Sequence, residues 1–144
     1  MIESHVVTCF LVRADGRALL LKRSGRVGTY QGRWAAVAGY LEPGVSPEAQ
    51  AWTEVREEAG LTGDDATLEA TGEPLAIDDA ALGRRWVVHP FRFAVSRPER
   101  VRLDWESETG EWVEPAEIAR RETVPGLLAA WHQVELDREE RSDR

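Results

Sequence analysis

Residues 39–61, GYLEPGVSPEAQAWTEVREEAGL, decide how the rest of the chain is read. Gly39 closes an apolar run, and Pro43 and Gly44 then mark a turn. Ser46 is a good N-cap. Pro47 suits the first helical position, where the N–H it lacks would have no partner, and Glu48 complements the positive end of the helix dipole. Gly60 stands where a left-handed C-terminal cap belongs, so the spacing predicts a helix over 47–59. On that helix Glu54, Glu57 and Glu58 fall at i, i+3 and i+4 and share one face. Like charges so placed repel one another. On a solvated face the repulsion costs little, and an exposed acidic face is the ordinary meaning of such a triplet. Around a hard divalent cation the same charges become favourable, because Mg²⁺ and Mn²⁺ prefer oxygen ligands.

Outward from this helix the pattern is of strands. Residues 6–12 form a β-branched and aromatic run, Ala14, Asp15 and Gly16 signal a turn, and 18–21 are apolar again, which predicts a β-hairpin. A polar stretch, 22–32, leads to a third strand over 34–38. Downstream, 66–70 and 85–95 read as strands, and Pro90 predicts an edge position or a bulge in the second. A short strand at 111–113, a short helix over 115–120 and a helix over 124–136 complete the pattern, with Leu127, Leu128, Trp131 and Val134 on one helical face. Residues 137–144 are charged except Ser142 and read as a frayed tail. With no repeat and no linker, the expected organisation is one α/β domain over 1–136 and a charged tail over 137–144. A length of 144 residues with 42% hydrophobic content is enough for one core.

Composition narrows the function classes. Acidic residues outnumber basic ones 26 to 18, for a formal charge of −8, which argues against a protein that coats phosphate backbones. A bound polyanion would need a metal or a local basic patch. The lone Cys9 excludes an internal disulfide framework and a multi-cysteine zinc site, and inside the first strand it reads as core. No apolar run approaches the ~18 residues of a membrane span, and residues 1–5 lack the features of a signal peptide. The expected location is the cytoplasm, with no membrane partner.

Residues 39–61 resemble the Nudix box, G-x5-E-x7-R-E-U-x-E-E-x-G-U with U aliphatic. Seven of its nine specified positions match: Gly39, Glu54, Val55, Glu57, Glu58, Gly60 and Leu61. The departures are Val45, where the family has Glu, and Thr53, where it has Arg. The order of elements around the box is also similar to the family. The resemblance implies an α/β/α sandwich with a mixed β-sheet and a pyrophosphohydrolase in which metal-activated water attacks phosphorus. It implies Mg²⁺, with Mn²⁺ as substitute, held by Glu57 and Glu58, by Glu54 as third ligand or base, and by the Gly39 carbonyl. In the family the Glu and Arg at the two departures form a supporting pair around loop and helix. Losing one would strand a charge at a cost of ~3 kcal/mol or more, whereas losing both removes that problem.

Family members often take a further carboxylate from a distant loop. Here the acidic stretch 104–111 supplies candidates, with Glu111 first and Glu108 second as base or extra ligand, against the plainer reading of a solvated loop. Arg23, Arg33 and Arg85 are candidates for substrate phosphates, since a guanidinium fork suits them, with surface solubility as the plain alternative. Trp34 and Trp86 read first as core and second as base-stacking groups. His5, His89 and His132 carry no role. Cys9 as a core residue argues against the isoprenoid-isomerase branch, which needs a catalytic cysteine.

For the substrate, Pro74 lies thirteen positions past Leu61, near where ADP-ribose-type members carry a proline, and no tyrosine follows Tyr40. Residues 27–34 and 85–91 are similar to Nudix domains joined to initiation-factor-like sugar-phosphate isomerases of some archaea. The resemblance therefore implies a small nucleotide substrate: ADP-ribose or a nucleotide sugar first, a nucleoside triphosphate second. A nucleotide sensor or partner-binding module without turnover is the alternative that Val45 and Thr53 favour. RNA is disfavoured because no basic track is present. A homodimer is compatible with the family.

Overall fold

β1 (Ile2–Arg13) sets the layers. It is buried from Val7 through Val12, and alternate side chains of a strand point to opposite faces. Val7, Cys9 and Leu11 thus enter one core, while Phe10 and Val12 enter another. α1 (Pro47–Ala59) covers the first core with Ala51, Val55 and Ala59. α2 (Leu127–Ser142) covers the second with Leu127, Ala130, Trp131 and Val134. The molecule is an α/β/α sandwich around a mixed sheet, as expected. This computed structural model describes residues 1–143, and among them no helix is long and apolar enough to cross a membrane.

β7 (Arg84–Val95) runs parallel to β1 along its full length, from Ile2 opposite Arg84 to Arg13 opposite Val95. On its other side β1 has two partners. β2 (Ala18–Arg23) pairs at the turn end, Val12 opposite Ala18, and β4 (Val37–Tyr40) takes the half nearer the N-terminus, from Cys9 opposite Val37 to Val6 opposite Tyr40. The single strand expected over 34–38 is therefore two: β3 (Trp34–Ala35) pairs with β2, Ala36 carries the chain across, and β4 pairs with β1. Twisted hairpin strands diverge, and one segment fills the wedge between them by serving each in turn. β8 (Ser107–Val113) lies beside β2, and β5 (Ala66–Thr71) and β6 (Leu75–Asp79) lie beside β7.

Three expectations are corrected. Pro90 is not on an edge strand, because β7 has neighbours on both sides. Its missing N–H falls where the second neighbour changes: Phe91 faces Thr71 of β5, Val88 faces Leu75 of β6, and the Pro90 carbonyl accepts from the Gly72 N–H at 2.9 Å. α2 starts at Leu127, three residues later than expected, because Gly126 adopts a left-handed φ of 78° that breaks the helical path. It then continues through Ser142 instead of fraying. Asp137 stabilises this last part by accepting from the Thr71 N–H at 2.8 Å and from Arg141 Nε at 2.6 Å.

The helix over 47–59 forms as its caps dictate. The Ser46 hydroxyl accepts from the Ala49 N–H at 3.2 Å, and Gly60, at φ 70°, donates its N–H to the Arg56 carbonyl at 3.0 Å.

Candidate active site

β4 and α1 meet at Gly39 and Glu54. A Cβ at Gly39 would lie 2.2 Å from Glu54 Cδ, so the carboxyl packs directly on the glycine backbone. One turn earlier, Gln50 is 2% exposed and bridges loop and helix. Its carbonyl oxygen accepts from the Glu42 N–H at 3.1 Å, and its amide donates to Glu54 Oε1 at 3.0 Å. One turn later, Glu58 is 5% exposed and its Oε2 accepts from the Ala38 N–H at 3.1 Å. Glu57 points away from the core and lines the cleft together with Glu54.

A fourth carboxylate completes the group. Glu106 enters from the loop before β8, held by its own N–H donating to Asp104 Oδ1 at 3.0 Å and by its carbonyl accepting from the Ser24 N–H at 2.9 Å. Burial, first, and the neighbouring Glu106 and Glu54 push the Glu58 carboxyl up to about 11, so it is protonated at neutral pH. Its single acid proton is available to Glu54 or to Glu106, one at a time. Burial also raises the carboxyls of Glu54 and Glu106 above their ordinary range, with Glu57 adding to both. A proton here offsets the repulsion that a divalent cation would offset better. The donors are all hard oxygens, which fits Mg²⁺ or Mn²⁺ and does not fit a soft metal. Among the described residues no three of these side chains already close around one point as a cage.

The cleft above them is about 470 Å³, within the range of small-molecule sites. Part of its lining is aromatic. Tyr40 lies 6.1 Å and Tyr30 6.3 Å from the Trp86 ring, centre to centre. Trp86 Nε1 donates to the Tyr30 hydroxyl at 3.0 Å, and that hydroxyl donates to Asp79 Oδ2 at 2.6 Å. Tyr30 sits at φ 50°, and among the described residues it is the one non-glycine in the left-handed region. Its backbone strain is thus held by a hydrogen-bonded side chain at the cleft.

The sequence-derived candidates divide. Gly39, Glu54, Glu57 and Arg23 line the cleft, with Glu58 immediately beneath. Arg23 is oriented by the Thr29 carbonyl, to which its Nε donates at 3.0 Å. Arg33 stands beside the Tyr30 ring, 5.8 Å from its centre, and pairs with Glu122 at 3.9 Å. Arg33 and three others lie outside the cleft lining. Trp34 packs under Arg121 at 4.5 Å, in the α2-side core. Arg85 is taken by Asp78 at 2.7 Å. Glu111, expected as the base, is held by Arg121 at 2.5 Å on β8, and of the acidic stretch it is Glu106 that lines the cleft. Pro74 is exposed in the β5–β6 connection and does not line the cleft. The signal for Glu106 was Asp104, a turn former whose carboxylate bends the loop back; charge alone did not separate Glu106 from its neighbours. Tyr30 and Tyr40 gave no signal, since nothing in their spacing shows that β4 and β7 bring them together.

The sandwich thus carries a carboxylate-bearing helix along a cleft of small-molecule size. The NUDIX domain model matches residues 4–133, and the chain belongs to the Nudix family. It is 30% identical over 122 residues to the nucleoside triphosphatase NudI of Salmonella agona, covering 81% of this chain and 86% of that protein. Among solved structures, the MutT protein from Methanosarcina mazei superposes with a TM-score of 0.76 at 23% identity, covering 97% of this chain and 96% of that one. The Ap4A hydrolase of C. elegans superposes with a TM-score of 0.75 at 20% identity, covering 92% and 96%. The enzyme is a Nudix hydrolase acting on phosphorus-containing anhydrides.

Proposed function

We propose that the enzyme is a Mg²⁺-dependent pyrophosphohydrolase of a small nucleotide, with a nucleoside triphosphate ahead of ADP-ribose-type diphosphates. The observation that carries this reading is a single cleft whose lining combines the carboxylates Glu54, Glu57 and Glu106 with the aromatic rings of Tyr30, Tyr40 and Trp86. The similarity to a nucleoside triphosphatase supports the order of substrates; the position of Pro74 lends nothing to the ADP-ribose reading. Four acidic side chains gathered at a cleft fit turnover and not a sensor, which would gain nothing from their mutual repulsion. The cytoplasm, rich in Mg²⁺ and nucleotides, suits both the substrate and a buried free thiol at Cys9.

In this reading Glu57 and Glu58 would hold the ion, Glu58 giving up its proton to it, with Glu54 and the Gly39 carbonyl beside them. Bound Mg²⁺ supplies charge to the phosphate oxygens and acidity to water. Glu54 or Glu106 receives the proton as the water oxygen bonds to phosphorus and the bridging P–O bond breaks. Arg23 contacts a phosphate, and the base lies against Tyr40 and Trp86. The test is phosphate or pyrophosphate release from nucleoside triphosphates, ADP-ribose, nucleotide sugars and dinucleoside polyphosphates, with Mg²⁺, with Mn²⁺ and with chelator. Turnover of triphosphates that chelator abolishes is the expected result; turnover that survives chelation overturns the metal assignment.

Trp86→Ala addresses the aromatic lining. Base stacking on an aromatic ring is worth about 1–3 kcal/mol, so the expected change is a rise in KM of about tenfold with kcat little altered. An unchanged KM would remove the base from this wall.

A further inference from the structure

We infer that Gln50 is a positioning residue that sets the Glu54 carboxylate by tying it to the backbone of the loop after β4. The inference rests on the proposed metal role of Glu54 and extends it to a residue outside the seven matched box positions. Three observations carry it.

First, Gln50 is a polar side chain that is 2% exposed and has both ends of its amide in use. Its orientation follows from the partners' chemistry. The Glu42 N–H can only donate, so the Gln50 oxygen must face it, and the NH₂ must then face Glu54 Oε1. Second, Gln50 and Glu54 are one helical turn apart, so one rigid element presents both. Glu54 is thereby confined by Gln50 on one side and by the Gly39 backbone on another, which leaves its second oxygen for the cleft and for Glu58. Third, the two positions at which a Glu and an Arg would join loop to helix are Val45 and Thr53. Thr53 bonds back along its own helix, its hydroxyl donating to the Ala49 carbonyl at 3.1 Å. The task of fixing the loop to α1 at this height falls to the Gln50 amide through Glu42.

A side chain that only filled space would tolerate an isostere of either polarity; a positioning residue would not. Gln50→Met keeps length and bulk and removes both hydrogen bonds. Gln50→Glu keeps the acceptor for the Glu42 N–H and removes the donor to Glu54. The experiment measures kcat and KM for the best nucleotide, the melting temperature, and Mn²⁺ binding by loss of the free-ion electron paramagnetic resonance signal. Partners that orient a ligand typically contribute 10–100-fold. Both variants are expected to lose kcat and Mn²⁺ affinity within that range while KM stays within about threefold. If Gln50→Met does not fold, Gln50→Glu decides, since it retains the loop bond. Wild-type kcat and wild-type Mn²⁺ binding in a folded Gln50→Glu protein overturn the inference. A wild-type protein that binds no Mn²⁺ overturns the metal reading itself, and is distinguished by that arm alone.

Discussion

Glu57→Gln is expected to leave the fold intact and to lower metal-dependent turnover by more than the roughly 10–100-fold typical of residues that merely orient a ligand. Glu57 is exposed on α1 and lines the cleft, so an amide of the same shape opens no cavity and strands no buried partner. Its negative charge acts on Glu54 and Glu106, where it adds to the cost of ionising both. Removing the charge relieves that repulsion, so in chelator the variant should melt no lower than the wild type. The two proteins part when Mn²⁺ is added. A cation that binds only the folded state raises the melting temperature by mass action, and the wild type should gain more than the variant. If the glutamates were only a solvated acidic face, the substitution would change neither turnover nor the response to Mn²⁺. Turnover within about twofold of wild type would take Glu57 out of the site.

The parts of this molecule that were legible in the sequence are those governed by local rules. Ser46, Pro47 and Gly60 fix α1 at both ends through capping, and the i, i+3, i+4 spacing alone puts Glu54, Glu57 and Glu58 on one face. What escaped was set by tertiary pairing. β6 forms because β7 offers it an edge from Arg84 to Val88, and nothing inside its own five residues demands a strand. The break at Ala36 comes from the divergence of β1 and β2, which no single segment encodes. The acidic stretch 104–111 shows the same limit at the site. Glu106 and Glu111 look alike in sequence, but Glu111 lies within β8 opposite Leu20 and beside Arg121, while Glu106 stands one residue before the strand, where the loop turns onto the cleft. The aromatic wall required β4 and β7, two strands that each pair with β1, to bring Tyr40 and Trp86 together.

Gly39→Ala is expected to keep the protein folded and to reduce turnover by about 10²-fold, the scale of a catalytic group misplaced by about 1 Å. The new methyl carbon would lie 2.2 Å from Glu54 Cδ and 2.3 and 2.6 Å from its oxygens, so one side must yield. The backbone is the stiffer side, because Gly39 is paired with Val7 in the middle of the β4 ladder and α1 is packed by Ala51 and Val55. The carboxyl is the free end of a flexible side chain, and it moves. In doing so it leaves Oε1 out of line with the Gln50 amide and breaks its contact with Glu58. Stability should change little, since in a strand alanine loses less chain entropy than glycine, by roughly 0.5–1 kcal/mol, and this offsets part of the displacement. The double variant Gly39→Ala with Glu54→Gln separates this mechanism from a general disturbance of β4. If Gly39 acts through Glu54, its substitution adds almost nothing once Glu54 is already an amide, and the two effects fail to add. Two losses that multiply in full would mean instead that Gly39 serves the reaction by its own backbone, independently of the side chain packed against it.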